Sequence, residues 1–203
     1  MNERQKKLLE KIYERPVEIG HALGFNDLTE MHNDWMQRML FGEGDETLQA
    51  HRGSYKTTCV SIVLALIIEL YPNCRTMFMR KTDGDVREVI LQVKKILESP
   101  LFQGISFELY GVAPKILTAS GNQITTSLTT DIKGTVQLLG IGTNTSITGK
   151  HFDRIFTDDI VNVQDRISKA ERDRIKIVYQ ELQNIKNIPV DICVDEVPTL
   201  YFH

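Results

Sequence analysis

Thr47-Leu-Gln-Ala-His-Arg-Gly-Ser-Tyr-Lys56-Thr57-Thr58 runs directly into the apolar stretch Cys59-Val-Ser-Ile-Val-Leu-Ala-Leu-Ile-Ile-Glu-Leu70. A short strand over 47–50, a loop of small residues closed by Lys-Thr-Thr, and then a helix is the expected order of a phosphate-binding loop. In such a loop the backbone N–H groups of a helix start face an anion, a lysine reaches the outer phosphates and a hydroxyl holds Mg²⁺. Two positions depart from the usual pattern. Ala50 stands where the first framing glycine is expected, and Tyr55 where glycine usually precedes the lysine. The loop therefore needs a second element before it decides anything.

The rest of the composition sets the frame. A chain of 203 residues with 41% apolar and 25% charged content has room for one α/β domain with a sizeable core and a small appendage. A net charge of −3 supplies no overall attraction to nucleic acid, so contact with DNA would need a local patch. Cys59, Cys74 and Cys193 are odd in number and lack metal-ligand spacing, which fits reduced thiols. His21, His51, His151 and His203 show no ligand pair either, so no metal beyond a nucleotide-borne Mg²⁺ is expected. The charged N-terminus lacks the apolar run of a secretory signal, and the Val60–Leu70 stretch is too short to span a bilayer. The expectation is a soluble, cytoplasmic chain.

Outward from the loop, helix and strand alternate. Residues 3–15 read as a helix with Leu8, Leu9 and Ile12 on one face, ended by Pro16. A second helix carries Leu28, Met31, Trp35, Met36 and Leu40 at helical spacing, with Asn26 or Asp27 as its cap. After the loop helix, Arg75–Arg80 reads as a strand and Asp83–Glu98 as an amphipathic helix closed by Ser99-Pro100. Residues 105–140, rich in Thr, Ser and Gly, suggest a short antiparallel excursion or added strands, and Gly140–Gly149 reads as turns. A strand is expected within Phe152–Ile160 and a helix over Asp165–Asn187. The alternation predicts an α/β fold with three α/β/α layers, a mostly parallel central sheet and an N-terminal helical segment. The expected organisation is 1–44 helical segment, 45–187 core and 188–203 C-terminal tail.

The second element is Arg154-Ile-Phe-Thr-Asp158-Asp159. A buried strand ending in a carboxylate suits the Mg²⁺-holding partner of a phosphate loop, and an adjacent acid can polarise the attacking water. In parallel sheets the ligand crevice lies at the carboxyl ends of the strands, where both Lys56 and Asp158 are expected to emerge. The basic residues Arg166, Lys169, Arg172, Arg174 and Lys176 are interleaved with acids and suit a solvated helix. Arg80 and Lys81 could reach towards nucleotide or DNA, but such residues are more often solvated charges at a strand end; His32 and Trp35 either border a nucleobase or belong to the core.

Three stretches together resemble the N-terminal ATPase domain of the tailed-bacteriophage terminase large subunit, a P-loop NTPase. Leu28-Thr-Glu-Met-His32-Asn-Asp-Trp35 is similar to that family's helical entry. Ala50-His-Arg52-Gly53-Ser-Tyr-Lys56-Thr57-Thr58 is similar to its deviant Walker A loop, with an arginine four residues before the lysine. Gly149-Lys-His-Phe-Asp-Arg-Ile-Phe-Thr-Asp158-Asp159-Ile is similar to its lead-in to an acidic Walker B. The resemblance covers about residues 28–187 and implies an ATPase that drives viral DNA into a procapsid. It implies ATP and Mg²⁺ as cofactors, held by Gly53, Ser54, Tyr55, Lys56, Thr57 and Thr58. Lys56 would meet the β/γ-phosphates, and Thr57 and Asp158 the Mg²⁺. Asp159 would be the catalytic carboxylate and Arg52 an arginine finger acting in cis. Double-stranded viral DNA, a portal protein, a small terminase subunit and a ring of subunits on the portal are the implied partners, in the cytoplasm of a bacterial host.

Asp159 replaces the family's usual glutamate, shortening its reach by one methylene. After residue 187 no coupling motif is evident and Thr199 is a poor candidate for one; Val190, Ile192 and Val194 alternate as in one more strand. The expectation is a truncated or frame-shifted form without a nuclease domain. Two other readings stand beside the packaging ATPase: a non-catalytic prophage remnant or assembly module that keeps the fold, and another P-loop motor such as a helicase.

Overall fold

The computed structural model describes residues 1–131, 136–145, 150–161 and 168–187. It is an α/β protein with seven helices and an open five-stranded mixed sheet among these residues. The chain divides into two compact units: Met1–Leu70 with Gln92–Lys115, and Tyr71–Leu91 with the chain from Ile116 onward.

The first unit is helical. Helix α1 (Glu3–Glu14) begins with a reciprocal cap, in which the Asn2 side chain accepts from the Gln5 N–H and the Gln5 side chain from that of Asn2. A short helix α2 (Val17–Ala22) follows Pro16, which therefore opens a helix as well as ending one. Helix α3 (Glu30–Phe41) is capped by Thr29, in place of the expected Asn26 or Asp27. Helix α4 (Lys56–Leu70) is buried at every position from Cys59 to Leu70, so its lack of an amphipathic stripe matches a central location. Helix α1 packs on α3, and α2 and α3 pack on α4.

The second unit holds the sheet. Its strands are β1 (Thr76–Arg80), β2 (Ile116–Ser120), β3 (Gln123–Thr126), β4 (Leu138–Gly142) and β5 (Arg154–Thr157), in the order β2-β3-β4-β1-β5. β4-β1 and β1-β5 are parallel, whereas β2-β3 and β3-β4 are antiparallel. The sheet is thus evenly mixed rather than mostly parallel, because the expected antiparallel excursion joins it as two full members. Helix α5 (Asp83–Leu97) begins in this unit, and its Val86 and Ile90 lie over Gly140 of β4. Helix α7 (Lys169–Ile185) buries Leu182 and Ile185 with Met77, Met79, Leu139, Ile141 and Phe152. Leu139 and Ile141 alternate with Gly140, so the two helices use opposite faces of the sheet.

Three further expectations are corrected. Residues 47–50 form no strand: only Leu48 and Ala50 escape full exposure, and the segment lacks the continuous apolar run that a strand buried on both faces requires. Residues 140–142 belong to the fully buried β4 rather than to a turn. Here glycine serves close packing, since a Cβ at Gly140 would lie 2.3 Å from the Val86 Cγ1. Ser99-Pro100 does more than close α5: Ser99 accepts from the Phe102 N–H and Pro100 starts a helix, α6 (Pro100–Tyr110), which packs on α1. Gly149, the start of the helix expected at Asp165, and the tail 188–203 with its expected strand and Thr199 lie outside the described residues.

Candidate functional site

The loop and the start of α4 lie within the first unit. Arg52 and Gly53 form an exposed turn, and Gly53 has a φ of 79°. Nothing comes within 4 Å of a Cβ built at Gly53, so the approach to its backbone is open. Ser54 is buried, and its Oγ has no hydrogen-bond partner among the described residues. Tyr55 has a φ of 55°, the left-handed conformation that glycine ordinarily supplies at this point. The tyrosine therefore does not remove the turn; it adopts it.

Two contacts hold this shape. The Tyr55 hydroxyl donates to Asp27 Oδ2 over 2.7 Å, and the Asp27 carboxylate holds the phenol above its ordinary pKa. Behind the loop, buried His32 of α3 bridges two backbone groups. Its Nδ1 lies 2.8 Å from the Thr29 N, which can only donate, so the ring proton sits on Nε2 and donates to the Ser54 carbonyl over 2.9 Å. Tyr55 and Trp35 both make edge contacts with the His32 ring, with centroids 6.2 Å and 5.0 Å away. His32 thus braces the loop backbone, and Asp27, expected as a cap, serves as the anchor for Tyr55.

Lys56 then opens α4, with Cys59 N–H to Tyr55 C=O as the first bond of the helix. Lys56, Thr57 and Thr58 are half-buried in its first turn. Amides of a first helical turn have no intrahelical acceptor, and the helix dipole adds partial positive charge there. A 15-residue helix entered through a left-handed turn, with a lysine and two threonines in its first turn, is chemically fit to hold an anion.

The acid pair lies within the second unit, at the carboxyl end of β5. The Asp158 N–H donates to the Met79 carbonyl, carrying the β1 pairing one residue beyond the strand, and the carboxylate is buried. Asp159 has a φ of 48° and is exposed. Among the described residues, Tyr55 and Asp159 are the two non-glycine positions with positive φ. Strained backbone of this kind concentrates at functional sites. Arg80 is not the solvated charge expected at a strand end: its Nε is 3.3 Å from Asp158 Oδ2 and its Nη2 is 3.7 Å from Asp159 Oδ2. Sequence reading missed this pairing, although the matching strand ends Arg80 and Asp158 were the signal for it. Lys81 pairs instead with Glu171 of α7 at 4.0 Å.

No group of three or more His, Cys, Asp or Glu side chains among the described residues is arranged to hold a metal. Within the second unit, Asp158 and Asp159 offer carboxylate oxygens. Such a sparse pair fits Mg²⁺ delivered with phosphate oxygens and water, since Mg²⁺ is ordinarily held by one or two carboxylates rather than by a full protein cage. No helix among the described residues is long and apolar enough to cross a membrane. The chain matches no protein-family model, and no curated protein matches it.

Proposed function

We propose that this chain binds and hydrolyses MgATP as a P-loop NTPase, in the manner of the ATPase domain of a phage terminase large subunit that powers packaging of viral DNA. One observation carries the reading: Tyr55, the residue least like a phosphate loop in sequence, takes the left-handed turn of the glycine it replaces and delivers Lys56 to the start of α4.

In this reading Lys56 and the amides of 53–58 hold the phosphates and the Thr57 hydroxyl would meet the Mg²⁺ they carry, while Asp158 is the acidic Mg²⁺ ligand that the family resemblance implies. The bound ion would neutralise charge on the β- and γ-phosphate oxygens. Asp159, the exposed member of the pair, orients the attacking water and accepts its proton. Arg52, exposed on the turn, would bring its guanidinium to the transferring phosphoryl group as an arginine finger in cis. Double-stranded DNA, a portal protein and a small terminase subunit are the partners this function calls for.

Mg²⁺-dependent ATP hydrolysis by the wild-type chain, beside Lys56→Ala and Asp158→Asn, tests the proposal. Hydrolysis lost in both variants supports it, and hydrolysis indifferent to Lys56 overturns it. A well-folded chain with no affinity for ATP would favour a non-catalytic assembly module instead.

A further inference from the structure

Arg80 ends β1, and its backbone is pinned by the residue that follows β4: the Thr143 N–H donates to the Arg80 carbonyl over 3.1 Å, and the Thr143 hydroxyl to that of Lys81 over 3.2 Å. Its freedom therefore lies in the side chain. The guanidinium bridges the acid pair, facing Asp158, which is 3% exposed, and Asp159, which is 68% exposed. Two features of this bridge matter. First, a carboxylate as buried as Asp158 loses most of its hydration and needs a counter-charge. Second, the Arg80 Nε is buried yet makes no aligned hydrogen bond, so the contact with Asp158 is mainly one of charge and lacks the lock of a forked pair. The left-handed turn at Asp159 lets both carboxylates share one guanidinium.

Resting on the nucleotide reading above, the geometry points to Arg80 as a positioning residue that stands in for the divalent cation: it holds the two carboxylates in place, and the incoming cation competes with it for Asp158. A point charge alone would neutralise Asp158. The planar fork of arginine also reaches Asp159, which keeps the second acid beside the first while the cation is absent. On cation arrival the guanidinium yields Asp158 and keeps Asp159. The cation affinity of the protein is thereby set below what the acid pair alone would give, and binding is tied to movement of one side chain.

The test titrates Mn²⁺ into the folded protein with a non-hydrolysable ATP analogue, following the Mn²⁺ by electron paramagnetic resonance. Wild type is compared with Arg80→Gln, Arg80→Lys, Asp158→Asn and the double variant Arg80→Gln/Asp158→Asn. Removing a positive charge this close to a carboxylate is expected to tighten Mn²⁺ binding by about tenfold or more in Arg80→Gln. Arg80→Lys keeps the charge and should stay within about threefold of wild type. Without metal, Arg80→Gln should melt below wild type, and the double variant, which also removes the buried charge of Asp158, should recover most of that loss. Mn²⁺ should restore Arg80→Gln but not the double variant. Should Arg80→Gln fail to fold without metal, refolding it with Mn²⁺ and the analogue, together with Arg80→Lys, gives the same comparison. Wild type that binds through Asp158, with Arg80→Gln binding no tighter, overturns the role of Arg80 and leaves the nucleotide reading intact. Wild type whose binding is unaffected by Asp158→Asn overturns both.

Discussion

The Tyr55 hydroxyl donates to the Asp27 carboxylate over 2.7 Å, tying the loop's left-handed turn to the chain just before α3. A tyrosine at this φ is disfavoured on its own, and the tie supplies a compensating interaction outside the backbone. Tyr55→Phe should therefore leave the fold intact while weakening ATP binding by between about twofold and tenfold, the range of one lost hydrogen bond. Tyr55→Gly, which needs no tie to occupy the turn, should bind ATP at least as well as Tyr55→Phe. A fluorescent ATP analogue titrated into the three proteins reads both comparisons, and a Tyr55→Phe protein that binds like wild type counts against the tie.

His32 is buried and serves two backbone groups at once, the Thr29 N–H and the Ser54 carbonyl. Its truncation to alanine leaves both without their partner, at about 1–3 kcal/mol in unfolding free energy. Chemical denaturation measures that loss. Nucleotide affinity should fall in parallel, because the carbonyl that loses its donor belongs to the loop itself.

Glu69 places a carboxyl in the interior of the first unit, accepting from the Ser106 hydroxyl, while the Tyr110 hydroxyl donates to the Glu69 carbonyl. Burial raises its pKa from 4.5 to about 7. Between these values the unfolded chain releases the proton and the folded chain keeps it, so the stability present at pH 4.5 is lost as pH rises towards 7. The predicted loss is on the order of 3 kcal/mol across that window. Denaturant midpoints at a series of pH values should fall in wild type, and Glu69→Gln should remove this component of the slope.

Gly140→Ala should destabilise the sheet unit by about 1–3 kcal/mol, because its Cβ would lie 2.3 Å from Val86 and 3.1 Å from Ile90. Adding Val86→Ala makes room and should return part of the loss. Thermal melts of the single and double variants decide the matter; equal destabilisation in both would mean the strain sits elsewhere.

The parts of this fold legible in the sequence were those with a strong local signature. The apolar run of α4 and the strand around Met77–Met79 stand where their patterns put them, and so does the acid-ended β5, although it is a half-buried edge strand and not the buried one expected. Helix α6 was hidden because Pro100 reads equally well as a stop or as a first helical residue. β4 was hidden because its two glycines look like turn residues until α5 is seen against one of them. The brace on the loop was beyond local pattern altogether, since Asp27 meets Tyr55 across 28 residues and His32 meets Ser54 across 22. Hydrophobic periodicity identifies elements, but side-chain bonds between distant segments depend on how those elements pack.

Cys59 sits one turn into α4, fully buried, with its thiol pushed up to about 12 by desolvation. At neutral pH it is a poor nucleophile that a reagent cannot reach. That makes it a built-in reporter: its modification must wait for α4 to open, so the labelling rate counts opening events at the helix that begins with Lys56. In a chain whose Cys74 and Cys193 are replaced by serine, slower labelling in the presence of ATP would register occupancy of the loop without any turnover.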